Sequence, residues 1–465
     1  MSIFRKCAVG GLRAATLSLA IGPVACPTLQ AEELLSTASA GEGSVISSLW
    51  ESVDADLVDY WQTTPGSYSH CAHHGGGSSS LMEGMEAAMQ RMAAAGIVYH
   101  VITPQFYQGV VDGGRDRGFE YGGKVDQYLI LDGGKLLGVE GFGVTTHVET
   151  RYGQDVNAEA VGLAPVNVAM LYPNVGEHDT AITGLTLTQY LSEDWQVSAG
   201  KVNALDMFYA LYPQTGRGVN GFMNASMVIP IGVARVVPLS FMSAGVTKFV
   251  EGRPTFALMA FDNQDVATTS GFDDLFDNGA NVMGTYRYYT SLGGLPGSHL
   301  AGGIWATGEY VSYDPLSFVI IPGQGIGAVK QTGAYSLLYI GEQTLWSDGA
   351  KDGRNVGFLT QWVLSDEATS PFAWSCNAAI QTKGLSRARP NDAIGVGYFH
   401  TALSNDFVNS LSPVFDLRDV NGVELYYNAS LAPCFNVTTD LQVVGPAEEQ
   451  YDTAVVVGLR AVLQL

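Results

Sequence analysis

With 465 residues and a formal charge of −22, the chain is long enough for several domains but too acidic to grip phosphate, which excludes a nucleic-acid partner. Only 15% of residues are charged while 46% are hydrophobic, yet no window reaches the roughly 18 unbroken apolar residues that a spanning helix needs. Gly (56), Tyr (22) and Phe (19) suit many strands joined by tight turns, and five scattered Cys make no disulfide framework.

Residues 1–31 read as an export signal. Arg5, Lys6 and Arg13 form a basic front, Ala14 to Ala25 is a short apolar run, and Leu29-Gln30-Ala31 precedes Glu32 as a cleavage site. Cleavage removes three basic and no acidic residues, taking the charge from −22 to −25. Residues 32–95 read as a small helical region on the periplasmic side, with helical spacing in 44–61 and 81–95. The loop 69–80 between them carries His70, Cys71, His73 and His74. Its C-x-H-H spacing matches no structural zinc pattern, and adjacent imidazoles rarely serve one ion, so no metal and no cofactor is expected. Outside the signal, Cys71, Cys376 and Cys434 allow one pair at most.

From 96 to 465 the pattern changes to alternating runs of about 10 to 14 residues, longer than the usual soluble strand and long enough to cross a bilayer at a tilt. Sixteen are predicted: 97–110, 118–130, 138–151, 180–191, 194–203, 239–250, 254–262, 281–291, 299–312, 333–346, 354–364, 371–382, 392–404, 420–428, 434–443 and 453–465. Brief links, such as 192–193 and 251–254, alternate with extended ones: 152–179, 204–238, 263–280, 313–332 and 405–419. Short periplasmic turns and long external loops are the signature of an all-β, antiparallel transmembrane barrel. In hydrocarbon every backbone N–H and C=O needs a partner within the protein, and only a closed sheet leaves no edge.

The phase of the alternation assigns faces. In the last strand Val455, Val457, Leu459, Ala461, Leu463 and Leu465 share the face expected to meet lipid, opposite Arg460 and Gln464. In 299–311, Leu300, Ile304, Ala306 and Tyr310 are expected outward, with His299, Trp305, Thr307 and Glu309 inward. Tyr310, Tyr313, Phe372 and Trp374 are expected in interfacial girdles. The same reading turns Lys124, Asp126, His147, Glu149, Arg151, Arg287 and Arg460 into the lumen. No GxSxG, HExxH or Walker sequence appears, so no enzyme is expected.

Five segments in order carry a family resemblance. Segment 80–114 resembles the helix leading into the first strand of the carbohydrate-selective porins, the OprB family, and 141–157 resembles that family's third strand. Arg389-Pro390-Asn391-Asp392 is similar to its Arg-Pro-x-Asp turn. Segment 421–444 and the final GLRAVLQL are similar to its closing strands, although Leu465 stands where an aromatic residue is usual. The resemblance implies passive diffusion of mono- and oligosaccharides across the bacterial outer membrane, through a constriction of Arg, acidic and aromatic residues. His147, Glu149, Arg151, Arg287, Trp305, Glu309, Lys124, Asp126 and Arg460 are the pore-lining candidates. Expected partners are the permeating sugars, outer-membrane lipid and lipopolysaccharide, the barrel-assembly machinery, and two further copies in a homotrimer. A general diffusion porin, a soluble glycan-binding or glycan-cleaving β protein, and a mainly structural barrel whose pore is blocked by the 152–179 and 204–238 loops are the alternatives.

Overall fold

The computed structural model describes residues 80–160, 163–173, 180–314, 318–321, 325–349, 353–384, 386–432 and 434–465. The export signal, segment 44–61 and the 69–79 loop lie outside the described residues. Helix α1 (Ser80–Ala94) leads through Gly96 into the sheet, and no helix is long and apolar enough to cross a membrane.

Sixteen strands close into one antiparallel barrel. They are β1 (Ile97–Asp112), β2 (Gly118–Asp132), β3 (Phe142–Gly153), β4 (Thr180–Ser192), β5 (Trp195–Asn203), β6 (Ser240–Val250), β7 (Arg253–Asp262), β8 (Ala280–Leu292), β9 (Leu295–Val311), β12 (Lys330–Ser347), β13 (Asn355–Ser365), β14 (Phe372–Lys383), β15 (Ala393–Leu403), β16 (Val420–Ala432), β17 (Phe435–Gly445) and β18 (Ala454–Gln464). A separate hairpin, β10 (Phe318–Ile321) with β11 (Gly325–Ala328), lies in the connection from β9 to β12. Pairing of β1 with β18, from Ile102↔Gln464 to Val110↔Val456, seals the ring. Pro104, which lacks an N–H, falls where the β1–β2 ladder skips from Ile102 to Gln105.

The two ends differ as expected. At the end holding both termini, Glu251-Gly252 and Gly293-Gly294 form two-residue turns with both central residues left-handed (φ 53 and 72, 61 and 81), the geometry that matches hairpin twist. The third strand begins later than predicted, because Gly133–Leu137 forms a short helix, α2, capped by the Asp132 carboxylate. Near this end Cys434 is bonded in a disulfide, whereas Cys376 keeps its thiol.

Outward residues of β16 to β18 (Val423, Leu425, Leu441, Val443, Leu459, Leu463) are exposed and apolar, a surface only lipid covers favourably. Aromatic girdles flank it. Tyr107, Tyr121, Trp305, Trp362 and Tyr398 stand toward the long-loop end, and Tyr99, Trp195, Tyr288 and Trp346 toward the turn end.

Strand β9 reverses the expected faces. Leu300, Ile304, Ala306 and Tyr310 are buried inward, so Tyr310 is no girdle residue, and inward Phe372 is none either. Trp305 is 62% exposed on the outer face. Glu309 also points outward, near the long-loop end, where Lys330 pairs with it at 3.4 Å. The cause is a dry interior: the inward residues of β9 belong to the same apolar cluster as Ile231, Val233 and Val236 of the β5–β6 connection, and Arg235 of that connection lies 5.0 Å over the Tyr310 ring.

A charge at mid-height on the outer face should be costly. Leu441→Arg is expected to destabilise the barrel by roughly 2–4 kcal/mol in a denaturant titration in liposomes. An unchanged midpoint would remove Leu441 from the lipid-facing surface.

Candidate functional site

The connection from β5 to β6, residues 204–239, was expected outside the barrel. It folds inside instead, as a strap whose Phe208, Tyr212, Phe222, Met223, Met227, Val233 and Val236 are buried against inward wall residues. It opens with helix α3 (Ala204–Leu211), where the Asn203 side chain accepts from the N–H groups of Leu205 and Asp206. A second short helix, α4 (Ala225–Val228), is capped by Asn224. Part of the β3–β4 connection joins it, with Val168 N donating to Met223 O at 2.9 Å.

The strap is short of regular structure, so its backbone groups need other partners. The wall supplies them. Arg460 donates to Gly218 O (2.7 Å) and Gly221 O (2.8 Å), Asn377 to Ser226 O (2.7 Å), Ser365 to Gly232 O (2.7 Å) and Asn281 to Val236 O (2.7 Å). Asn428 reaches Asn220 O (2.9 Å), and Arg287 donates to Leu211 O. Glu424 accepts from the N–H groups of Met223 and Asn224.

At mid-height the strap meets the wall in a charged knot. Gly216, Arg217 and Gly218 are all left-handed (φ 72, 57 and 72), a reversal that carries Arg217 back toward α3. Its guanidinium pairs with Asp206 at 2.6 Å and with the Tyr128 hydroxyl. His147 joins Asp206 through Nδ1 at 2.7 Å and stacks on Tyr128 with centroids 4.0 Å apart. Behind it, Lys124 bonds Glu149 and lies 3.3 Å from Asp126, while Asn203 donates to Glu149 at 2.9 Å. Burial would raise the Asp206 carboxyl, but Arg217 and then His147 hold it below its usual range. Burial likewise works against the Arg217 charge, and Asp206 first among its neighbours keeps it well above its ordinary value.

The sequence candidates sort accordingly. Lys124, Asp126, His147 and Glu149 turn inward and come together. Arg151 also turns inward but is held by Asp155, and Arg287 and Arg460 anchor the strap elsewhere. Trp305 and Glu309 are on the outer surface and take no part. Sequence reasoning missed Asp206, Tyr209, Arg217 and Asn220, all in a connection assigned to the outside. The glycine-rich run around Arg217 and a lone acid in the apolar helix ALDMFYAL were the available signals.

A cleft opens between strap and wall, lined by Ile102, Asp126, Tyr209, Gly216, Arg217, Val219, Asn220 and Gln464. Asn220 Oδ1 and Gln464 Oε1 are buried there without a hydrogen-bond donor, and Asp126 Oδ1 is approached by the Lys124 ammonium. The cleft, about 10 Å³, has room for little more than a water, and its lining combines acceptors, a guanidinium and an aromatic ring.

A family model described as "Carbohydrate-selective porin, OprB family" matches residues 116–465. The fold is similar to a high-pH structure of OprB from Pseudomonas putida (TM-score 0.70, 17% identity, 83% of this chain and 98% of that one). It is also similar to the low-pH structure of the same protein (TM-score 0.52, 13% identity, 83% and 97%). No curated protein matches the chain.

Removing one partner of the Arg217–Asp206 pair leaves a charge stranded. Arg217→Met is expected to cost about 2–3 kcal/mol of unfolding free energy, below the usual figure for a buried pair because Asp206 is 28% exposed. Because the folded Asp206 value is lowered, its contribution is complete above the ordinary carboxylate range and is lost as pH falls through the lowered value. The Asp206 contribution to the unfolding midpoint should therefore be constant above about pH 5 and be lost below about pH 4. Asp206→Asn should shrink that acid drop; an identical drop would assign it to other groups.

Proposed function

The chain belongs to the OprB family of carbohydrate-selective porins, outer-membrane channels for sugars, and on that premise we propose that its selective step lies where the strap meets the β2–β3 wall, around this water-sized cleft. The observation that carries this reading is the strap itself, which places Asp206, Tyr209, Arg217 and Asn220 inside the barrel, with Asn220 Oδ1 and Gln464 Oε1 buried without a donor beside the cleft. A sugar hydroxyl donates to an acceptor and accepts from a guanidinium, so a pyranose that parts the strap from this wall as it passes exchanges its water contacts for protein ones. Tyr209 offers a ring for the C–H face. Such contacts must be favourable enough to admit the solute and weak enough to release it.

Family and fold are those of a channel; the work is diffusion, and the side chains act by width and hydrogen bonding without covalent chemistry. Lys124, His147, Glu149 and Arg151 serve the path by holding the strap and its charges in place. Arg287 and Arg460 do so from other walls. Residues 1–31 direct export and are removed, the region 32–95 stays in the periplasm, and 96–465 forms the barrel. The outward apolar face meets outer-membrane lipid and lipopolysaccharide after insertion by the assembly machinery, and three copies associate.

The reading is tested by solute uptake into liposomes. Asn220→Leu with Gln464→Leu should slow glucose entry about tenfold while leaving an amino acid of similar size much less affected, since only the sugar uses those acceptors (1.4 kcal/mol is tenfold). An unaltered ratio of the two rates, in a barrel that still conducts ions, would move selectivity away from this cleft.

A further inference from the structure

We propose that Asp126, His147 and Glu149 form a binding site for a divalent transition-metal ion, entered in exchange for the Lys124 ammonium. One nitrogen and two carboxylate oxygens of these residues lie within 4.8 Å of one another, and all three side chains are buried. His147 Nε2 is 3.5 Å from Asp126 Oδ1 and 4.0 Å from Glu149 Oε1. Around a tetrahedral ion with bonds of about 2.1 Å, neighbouring ligand atoms stand roughly 3.4 Å apart. A small contraction therefore suffices.

Two further observations point to a ligand. Buried His147 Nε2 makes no hydrogen bond and faces the centre of the group, where its neighbours are the Asp126 and Glu149 carboxylates. His147 Nδ1 lies 2.7 Å from the Asp206 carboxylate. That contact fixes the ring with Nε2 toward the two carboxylates, the carboxylate–histidine arrangement that orients metal-binding imidazoles, and an ion that binds there takes the place of the Nε2 proton. Access exists, because Asp126 also lines the cleft, from which water can complete the coordination.

The competitor is built in. Lys124 Nζ bonds Glu149 and lies 3.3 Å from Asp126, so a compact cation already balances the carboxylates. A divalent ion must displace it, and the flexible lysine stem permits the ammonium to leave. Wild-type affinity is set by that exchange, and deleting the ammonium exposes the site.

The probe is Zn2+, titrated by calorimetry into the full, chelator-stripped chain in detergent, with the visible spectrum of bound Co2+ reporting geometry. The sequence also contains His70, Cys71, His73 and His74, so only binding that depends on His147 is counted. Lys124→Met should bind one His147-dependent ion per chain at least tenfold more tightly than wild type. Adding His147→Gln to Lys124→Met should weaken that binding at least tenfold and abolish tetrahedral Co2+ bands. Should that double variant lose the heat-modifiable migration of a folded barrel, Asp126→Asn in the Lys124→Met chain replaces it with the same expectation. Absence of a bound ion in folded Lys124→Met, or binding indifferent to the ligand substitutions, overturns the proposal.

Discussion

The interior of this barrel depends on one constraint: a chain segment placed inside a closed sheet must find hydrogen-bond partners on the wall, since the ladder has already used the strands' own backbone groups. Side chains of β8, β13, β14, β16 and β18 meet that demand by donating to, or accepting from, the strap's main chain. A buried carbonyl left without a donor would cost about 1–3 kcal/mol. Spread over so many points, the wall's polar residues fix the strap's path more firmly than any single apolar contact could.

Polar anchoring and apolar packing divide the interior between them. On the β9 side Leu300, Ile304 and Ala306 of the wall join Ile231 and Val233 of the strap in one buried apolar cluster that excludes solvent. On the β2–β3 side it presents charges, and the strap answers with Asp206 and Arg217. The cleft lies on the charged side because polar groups that pair imperfectly leave a gap that water can fill, whereas interdigitated methyl groups leave none. Charged knot and structural core are thus opposite sides of one strap.

This division explains what could be read from the sequence. The sixteen strands, their alternating links and the outward face of β18 were legible because lipid imposes apolar residues at every second position, and Val455, Val457 and Leu459 obey it. The inward placement of Lys124, Asp126, His147 and Glu149 followed from the same rule. Trp305 and Glu309 escaped it, since the rule supposes a wet interior and β9 faces a dry one. Trp305 belongs to the outer aromatic girdle, and Glu309 stands beyond the hydrocarbon with Lys330. The strap could not be placed because ALDMFYAL and the glycine-rich turn around Arg217 carry no periodicity that separates an internal segment from an external loop.

Arg217 shows why the strap holds a defined shape rather than a range of them. A non-glycine residue at φ 57 carries backbone strain of order 1–3 kcal/mol, which persists only where surrounding contacts over-determine the conformation. Here Asp206, Tyr128 and the Tyr209 ring all engage the guanidinium. Gly218 is equally constrained, since a Cβ there would stand 2.6 Å from Val168. The same grip that tolerates the strain holds one side of the cleft still. A filter that discriminates solutes by the positions of a few acceptors needs that stillness, because a wall free to move by an ångström would accept hydroxyl and ammonium, sugar and amino acid, with little distinction.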